Sequence, residues 1–409
     1  MSNLEIDRER LWSALMETAS IGGTAKGGVC RLSLGEFDRQ VRVWFVAQCE
    51  AVGCTVTIDG MGNIFARRKG RDDTLPPVGF GSHLDTQPTG GKFDGILGVL
   101  AGLEILRTLD DAGYETAAPL ELVNWTNEEG ARFSPSMMGS AVFAGKYRLE
   151  DARARSDKDG ITVGSALDGI GFAGPAPCGG RRYGAFLELH IEQGPLLEAS
   201  GTEIGIVTGV QGIRWYEVEV TGRDSHAGTT PMSHRRDAFQ GAAQVAVALD
   251  ALARRHGPHA VATIGICRVE PGSTNVIPGR VDFTIDLRHP ELAVLDTIEA
   301  ALGETIAAVG AETGLEFEVT PVQAAAPVRF DPRIIGEIRT AAESCGFSHR
   351  DIVSGAGHDA ANLASVAPTA MIFVPCRDGL SHNEAESIAP DQAGAGADTL
   401  LRAVLALAG

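Results

Sequence analysis

Three short, mostly apolar runs, 77–84, 120–125 and 369–375, lack the polar alternation of a half-solvated strand. They read as strands covered on both faces, which is how parallel sheets bury themselves. Each neighbours a helical pattern; the one from 95 to 112 is apolar nearly all round and reads as buried. Tyr183–Glu192 is a further candidate strand, and 54–59 with 63–67 reads as a hairpin turned by Asp59-Gly-Met-Gly. Helices are expected at 5–20, 36–52, 331–345 and 391–408, a strand at 351–354, and short surface helices within 146–182. Strands alternating with helices predict an α/β fold with a mixed, mainly parallel sheet flanked by helices.

From about residue 210 the pattern changes. Arg214-Trp-Tyr-Glu-Val-Glu-Val-Thr221 alternates strictly, as a half-buried antiparallel strand does. A helix at 235–255, strands at 260–269 and 280–288, a helix at 291–311 and a strand at 315–321 complete a ferredoxin-like β-α-β-β-α-β unit. The buried α/β pattern then returns. The expected organisation is a catalytic domain in two parts, 1–211 and 327–409, with a dimerisation/lid domain, 212–326, inserted between them. The 409 residues exceed what one core ordinarily serves, which fits two domains.

A net charge of -18 argues against a nucleic-acid partner, because phosphate contacts need a basic face. No apolar run reaches the roughly 18 residues of a membrane span, and the charged start does not resemble a signal peptide. Seven scattered cysteines, none in CxxC spacing, read as reduced thiols. A cytoplasmic protein is expected, with no membrane partner.

The chemistry gathers at strand ends. His83 and Asp85 close the 77–84 run, and Asp94 ends the Gly/Pro-rich loop that follows. Glu128 and Glu129 follow the 120–125 run, His190 and Glu192 end the next strand, and His358 and His382 lie in later loops. Carboxyl ends of strands are where open α/β sheets keep their sites. Imidazole with carboxylate suits Zn, Mn, Ni or Co better than Ca or Mg. So many donors exceed the needs of one four-coordinate ion, and two metals sharing a carboxylate is the natural arrangement. Of the adjacent Glu128 and Glu129, one is free to ligate while the other acts as general base. No GxSxG, HExxH or Walker loop is present, and no GxGxxG follows a strand.

Gly81-Ser-His-Leu-Asp85, Gly90-Gly-Lys-Phe-Asp-Gly95, Asn127-Glu-Glu-Gly-Ala-Arg-Phe133, Glu188-Leu-His-Ile-Glu-Gln-Gly194, Arg223-Asp-Ser-His-Ala-Gly-Thr-Thr-Pro231, Asn275-Val-Ile-Pro-Gly279 and Ser381-His-Asn-Glu384 occur in this order. Together they resemble the N-carbamoyl-L-amino-acid hydrolases, relatives of β-ureidopropionases and allantoate amidohydrolases. These enzymes sit in the aminoacylase/carboxypeptidase clan of dinuclear-metal hydrolases, with a metallo-exopeptidase-like fold. The resemblance implies two divalent ions per subunit, Zn or Mn, Ni or Co. It makes Asp94 the shared ligand, with His83 and His190 completing one site and Glu129 and His382 the other. Glu128 becomes the general base, and Asp85 the partner that fixes the His83 tautomer.

For substrate the resemblance implies Gln193, His226, Asn275, Arg288, Gly357 and His358, with His226 also catalytic through the oxyanion. It further implies a homodimer formed through the inserted domain and a small ureido-acid substrate. Plainer readings stand beside these: Arg288 as a surface ion-pair partner, His358 as a helix-start residue, Asn275 as a turn residue. His234, His256, His259, His289 and His349 lie outside the motifs and are expected at the surface. Rival readings are the same chemistry on N-carbamoyl-β-alanine, allantoate or an N-acyl amino acid, or a non-catalytic binding protein.

Overall fold

The computed structural model describes residues 4–409, which form two compact units. One takes the chain up to Thr208 and again from Arg329 to Gly409; the other is Gly209–Val328. The sequence reading sets these joins at 211/212 and 326/327. No helix among the described residues is long and apolar enough to cross a membrane.

The first unit is built on a nine-stranded mixed sheet. In spatial order its strands are Thr55–Ile58, Ile64–Arg68, Leu120–Trp125, Val78–His83, Ala185–Ile191, Thr369–Val374, Ile204–Val210 and Val328–Arg329; His349–Ser354 also pairs with Ile204–Val210. The four central strands, from Leu120–Trp125 to Thr369–Val374, run parallel, and every residue in them is buried. The neighbours on either side, Ile64–Arg68 and Ile204–Val210, pair antiparallel. Helix Ile96–Asp111 packs against Val78–His83, and helix Pro390–Ala408 against Thr369–Val374.

Ile204–Val210 is a strand the sequence pattern does not announce. Gly205 breaks the run of β-branched residues, yet tertiary packing demands it. A Cβ there would stand 3.0 Å from both Phe373 Cβ and an Ile352 methyl, closer than carbon atoms pack without strain.

The second unit is a separate antiparallel sheet in the order Cys267–Glu270, Arg280–His289, Gly212–Thr221, Glu316–Ala325. Helices Ala238–Arg255 and Leu292–Thr313 cover one face with Val245, Leu249, Ile298 and Leu302. The expected strand at 260–269 divides into Val261–Thr263 and Cys267–Glu270, each pairing with Arg280–His289. Glu316–Ala325 outruns its expected end at 321 by passing through Pro321 with a register shift before Gln323. An edge strand tolerates proline because no neighbour requires its missing N–H. His289, expected at the surface, is 6% exposed. It continues the inward alternation of Val281, Phe283, Ile285 and Leu287, and its Nδ1 accepts from Glu291 N–H at 2.9 Å.

Beneath the carboxyl edge of the large sheet lies a buried ionic network. Arg42 Nε meets Asp38 Oδ2 at 2.8 Å with both side chains fully buried. The other arms of Arg42 donate to Gly62 O at 2.7 Å and Thr126 Oγ1 at 3.2 Å. Arg31, 1% exposed, donates from Nε to Leu84 O at 2.7 Å and from Nη1 to Ile21 O at 3.0 Å. These arms fix Leu84, which follows His83, and Thr126, which precedes Asn127 and Glu128. Truncating one partner of a buried pair strands the other charge in low dielectric, at a cost of about 3–5 kcal/mol. Arg42→Ala is therefore expected to destabilise the protein by that amount in urea unfolding; a loss below about 1 kcal/mol, the scale of an exposed pair, refutes the assignment.

Candidate metal centre

The Val78–His83 strand ends with its last side chain beneath the sheet's carboxyl edge, and His83 is 1% exposed. Its Nδ1 stands 2.9 Å from the Asp85 main-chain oxygen, so Nδ1 carries the proton and Nε2 is left as a free lone pair. The Asp85 carboxylate, at 3.9 Å from Nδ1, is the more distant group. It accepts instead from Glu128 N–H and Glu129 N–H, each at 3.3 Å. Asp85 thus orients His83 through its main chain and holds the two glutamates through its side chain, a division the sequence does not reveal.

His190, on the next strand but one residue from its end, is set the same way. Its Nδ1 lies 2.9 Å from Ile191 O, leaving Nε2 at 3.1 Å from Asp94 Oδ1. His83 Nε2 is 3.8 Å from that same oxygen and 3.5 Å from Glu128 Oε2. Gly95 makes this approach feasible: a Cβ there would fall 2.3 Å from the His83 ring.

The other Asp94 oxygen serves a second set. His382 Nε2 stands 3.6 Å from Oδ2 and 3.3 Å from Glu129 Oε2. Ser381 Oγ donates to Oδ2 at 2.5 Å and Gln193 Nε2 at 2.9 Å. Glu129 is steadied by Gln87, whose Nε2 donates at 2.8 Å. Asn127, Gln193 and His382 all hold left-handed φ near +55°, at +56°, +58° and +54°. Such strain costs of order 1–3 kcal/mol each and persists where the surroundings over-determine it.

Three donor groups have ligand atoms within 4.8 Å of one another among the described residues: Glu188, His190 and His358, and the two that share Asp94, namely His83, Asp94 and His190, and Asp94, Glu129 and His382. Ligands about 2.0–2.2 Å from one ion stand about 3–4 Å apart, so the spacings fit a divalent cation in each Asp94 group. Electrostatics agree. Burial, then Asp359, Glu129, Asp85 and Asp94, pushes the Glu128 carboxyl well above its usual range. Burial followed by Asp94 and Asp85 does the same to Glu129. Asp94 is also raised by burial, but its contacts with His190, His83 and Ser381 more than offset this and hold it low. Burial takes His83 down to about 4, keeping it neutral. A donor set so rich in buried carboxylates is one that positive ions stabilise.

The remaining expected residues divide. His358 is buried against His190, with ring centroids 4.6 Å apart, and its Nε2 meets Ser354 Oγ at 3.0 Å. It also occupies the N-cap position of helix Asp359–Leu363, without a side-chain capping bond, as the helix-start reading expects. Gly357 lies beside Met137, whose Cε a Cβ there would meet at 2.9 Å. Gln193 spends its amide on Asp94 and Ser381. Glu192, a candidate ligand by position, instead accepts from Leu196 N–H and Leu197 N–H at 2.8 Å each, the first turn of the short helix Leu196–Ser200.

His226, Asn275 and Arg288 belong to the second unit. A two-stranded ribbon pairs His226 with Val276, next to Asn275. His226 Nδ1 accepts from Gly228 N–H at 3.0 Å, so Nε2 bears the proton and faces outward as a donor. Asn275 Oδ1 accepts from Ser273 Oγ at 3.0 Å. Arg288 is paired with Asp286, Nη2 to Oδ2 at 2.8 Å.

Three buried carboxylates of this cluster escaped the sequence reading: Asp359, Glu188 and Glu386. Glu188 takes Ser82 Oγ at 2.6 Å and Ala360 N–H at 2.8 Å, joining the strand of His83 to the helix after His358. Glu386 takes Phe93 N–H at 2.9 Å and Asp94 N–H at 3.1 Å. Glu188 lies two residues before His190 on one strand face, a signal that was present; for Glu386 only its place four residues after His382 hinted at it.

A family model described as Peptidase family M20/M25/M40 matches residues 79–406. The chain is 47% identical over 403 residues to an N-carbamoyl-L-amino-acid amidohydrolase of Rhizobium meliloti, covering 98% of this chain and 97% of that one. It is 38% identical over 407 residues to an N-carbamoyl-L-amino acid amidohydrolase of Geobacillus stearothermophilus, covering 98% and 99%. An amidase of the hydantoinase/carbamoylase family from Burkholderia multivorans superposes with a TM-score of 0.98 at 53% identity, covering 100% and 99%. With the family model matching most of its length, the chain belongs to Peptidase family M20/M25/M40.

Proposed function

We propose that this protein is a metal-dependent hydrolase that cleaves the ureido C–N bond of N-carbamoyl-L-amino acids. The observation that carries the reading is Asp94, whose Oδ1 faces the buried His83 and His190 and whose Oδ2 faces a second group made of the half-buried Glu129 and the exposed His382. The activity named for the Rhizobium meliloti relative supports the substrate class. His83, Asp94 and His190 would hold one divalent ion and Asp94, Glu129 and His382 the other, with Zn, Mn, Ni or Co suited to the donors. Such a pair supplies Lewis acidity toward the carbamoyl oxygen and makes water a competent nucleophile near neutral pH.

The chain's own residues do the rest. Glu128 is not spent as a ligand in either Asp94 group, and its Oε2 lies 3.5 Å from His83 Nε2, a carboxylate beside the donors where a general base is needed. It takes the proton of the attacking water at its carboxylate and delivers it to the leaving nitrogen. Water oxygen bonds to the carbamoyl carbon, the C–N bond to ammonia breaks, and the resulting carbamate loses carbon dioxide to leave the amino acid. His226 Nε2–H and the Asn275 amide are donors of the kind that steady a developing oxyanion, worth about 2.7–4 kcal/mol each in other hydrolases. The Arg288 guanidinium offers a planar fork for the substrate carboxylate, shared with or released by Asp286. Homodimerisation through the second unit and a cytoplasmic setting complete the reading.

Dialysis against a chelator is expected to abolish ammonia release from N-carbamoyl-L-amino acids, and Zn, Mn, Co or Ni to restore it. A panel adding the D-enantiomers, N-carbamoyl-β-alanine and allantoate tests the substrate class; faster turnover of either of the last two replaces it with the rival activity. Glu128→Gln should lower kcat by about 10²–10⁴-fold, the usual weight of general acid–base catalysis, while still binding two metals. Full activity in that variant refutes the mechanism. Arg288→Ala should act mainly on KM, raising it tenfold or more by loss of a charge-assisted contact of about 1.5–3 kcal/mol; an unchanged KM removes Arg288 from the substrate site.

A further inference from the structure

Glu386 has no part in any of the donor groups, yet it is 4% exposed and spends both oxygens on the machinery around Asp94. Its Oε1 accepts from Phe93 N–H at 2.9 Å and Asp94 N–H at 3.1 Å. Its Oε2 lies 3.3 Å from Ser381 Oγ, which itself donates to Asp94 Oδ2 at 2.5 Å. The loop that carries Asp94 and the loop that carries His382 are distant in sequence, and this one side chain bridges them. The backbone is shaped to admit it: a Cβ on Gly91 would fall 2.1 Å from Glu386 Oε1.

We propose that Glu386 is a positioning residue for Asp94: one oxygen fixes the Phe93–Asp94 main chain, the other fixes Ser381, and together they aim each Asp94 oxygen at its own donor group. The inference rests on the reading of Asp94 as the shared metal ligand. Without Glu386 two buried N–H groups lose their acceptor, and the Asp94 carboxylate keeps only Gln193 and a less firmly held Ser381 to set its direction. Its action is through hydrogen bonds, so an amide can replace it. Glutamine keeps a carbonyl oxygen for the two N–H groups and an NH2 to donate to Ser381 Oγ.

The test measures zinc affinity of the metal-free full chain by competition with a chromophoric chelator, together with zinc stoichiometry, thermal unfolding, kcat and KM. Glu386→Ala should still take up two zinc ions but bind them about 10–100-fold more weakly, the usual loss when a ligand's outer partner is removed. Glu386→Gln should stay within about threefold of the parent, since its carbonyl oxygen still accepts from both N–H groups and its NH2 still reaches Ser381 Oγ, now as the donor. Zinc affinity unchanged in Glu386→Ala overturns the proposal, and so does Glu386→Gln as weak as the alanine variant. If the alanine variant does not fold, Ser381→Ala removes the second arm together with the direct hydrogen bond from Ser381 to Asp94 Oδ2; equal affinity to the parent there is again refuting. A parent chain that binds fewer than two zinc ions, or Asp94→Ala binding zinc as tightly as the parent, sinks the ligand reading and this proposal with it. The first three results sink the positioning role alone.

Discussion

The Asp94 carboxylate is the point on which the site depends. One oxygen stands 3.1 Å from His190 and the other 3.6 Å from His382, so a single short side chain spans two donor groups that arise from four different segments. A carboxylate can do this because its two oxygens are about 2.2 Å apart and diverge, the geometry that lets it bridge ions about 3.5–4 Å apart. Everything near it serves to keep that one torsion fixed. Gly95 clears space for the His83 ring, Gln193 and Ser381 hold Oδ2, and Glu386 grips the main chain on either side of the Phe93–Asp94 bond.

The second constraint is electrostatic. Asp85, Asp94, Glu128, Glu129, Glu188, Asp359 and Glu386 are crowded into one buried region, and burial together with mutual repulsion pushes all of them up except Asp94. At several of them main-chain N–H groups satisfy the carboxylate. Asp85 takes Glu128 and Glu129, Glu188 takes Ala360, and Glu386 takes Phe93 and Asp94. Each such bond also fixes the loop it accepts from, so the groups that relieve the charge are those that set the geometry. Below them, Arg31 and Arg42 secure Leu84 and Thr126 from the opposite side, at the ends of the strands that deliver His83 and Glu128.

The large elements were legible because they obey local rules. Unbroken apolar runs became fully buried parallel strands, and strict alternation at 214–221 became a half-buried antiparallel one. The donors at strand ends were legible for the same reason: a polar side chain directly after a buried strand has few places to go but the sheet's edge. Where local rules and packing disagree, the sequence misled. Gly205 hides a strand that close packing requires, Pro321 marked an end where an edge strand runs on, and His289 followed its strand's inward alternation. Glu192 had the position of a ligand but turned to the first turn of a short helix, because its neighbours at Leu196 and Leu197 offered free N–H groups.

The sequence by itself determined the class of fold and the kind of chemistry, since periodicity and residue type are properties of neighbours along the chain. It also supplied Asp94, Glu128 and the histidines as the residues to watch. Which atom of each meets which partner was decided only by tertiary structure. That Asp85, besides orienting His83 two residues away with its carbonyl, anchors Glu128 and Glu129 with its carboxylate depends on contacts across some forty residues. That Glu386 reaches Asp94 depends on contacts across nearly three hundred. Hydrogen bonds of that span leave no periodic trace, because their partners are brought together by the sheet and not by the chain.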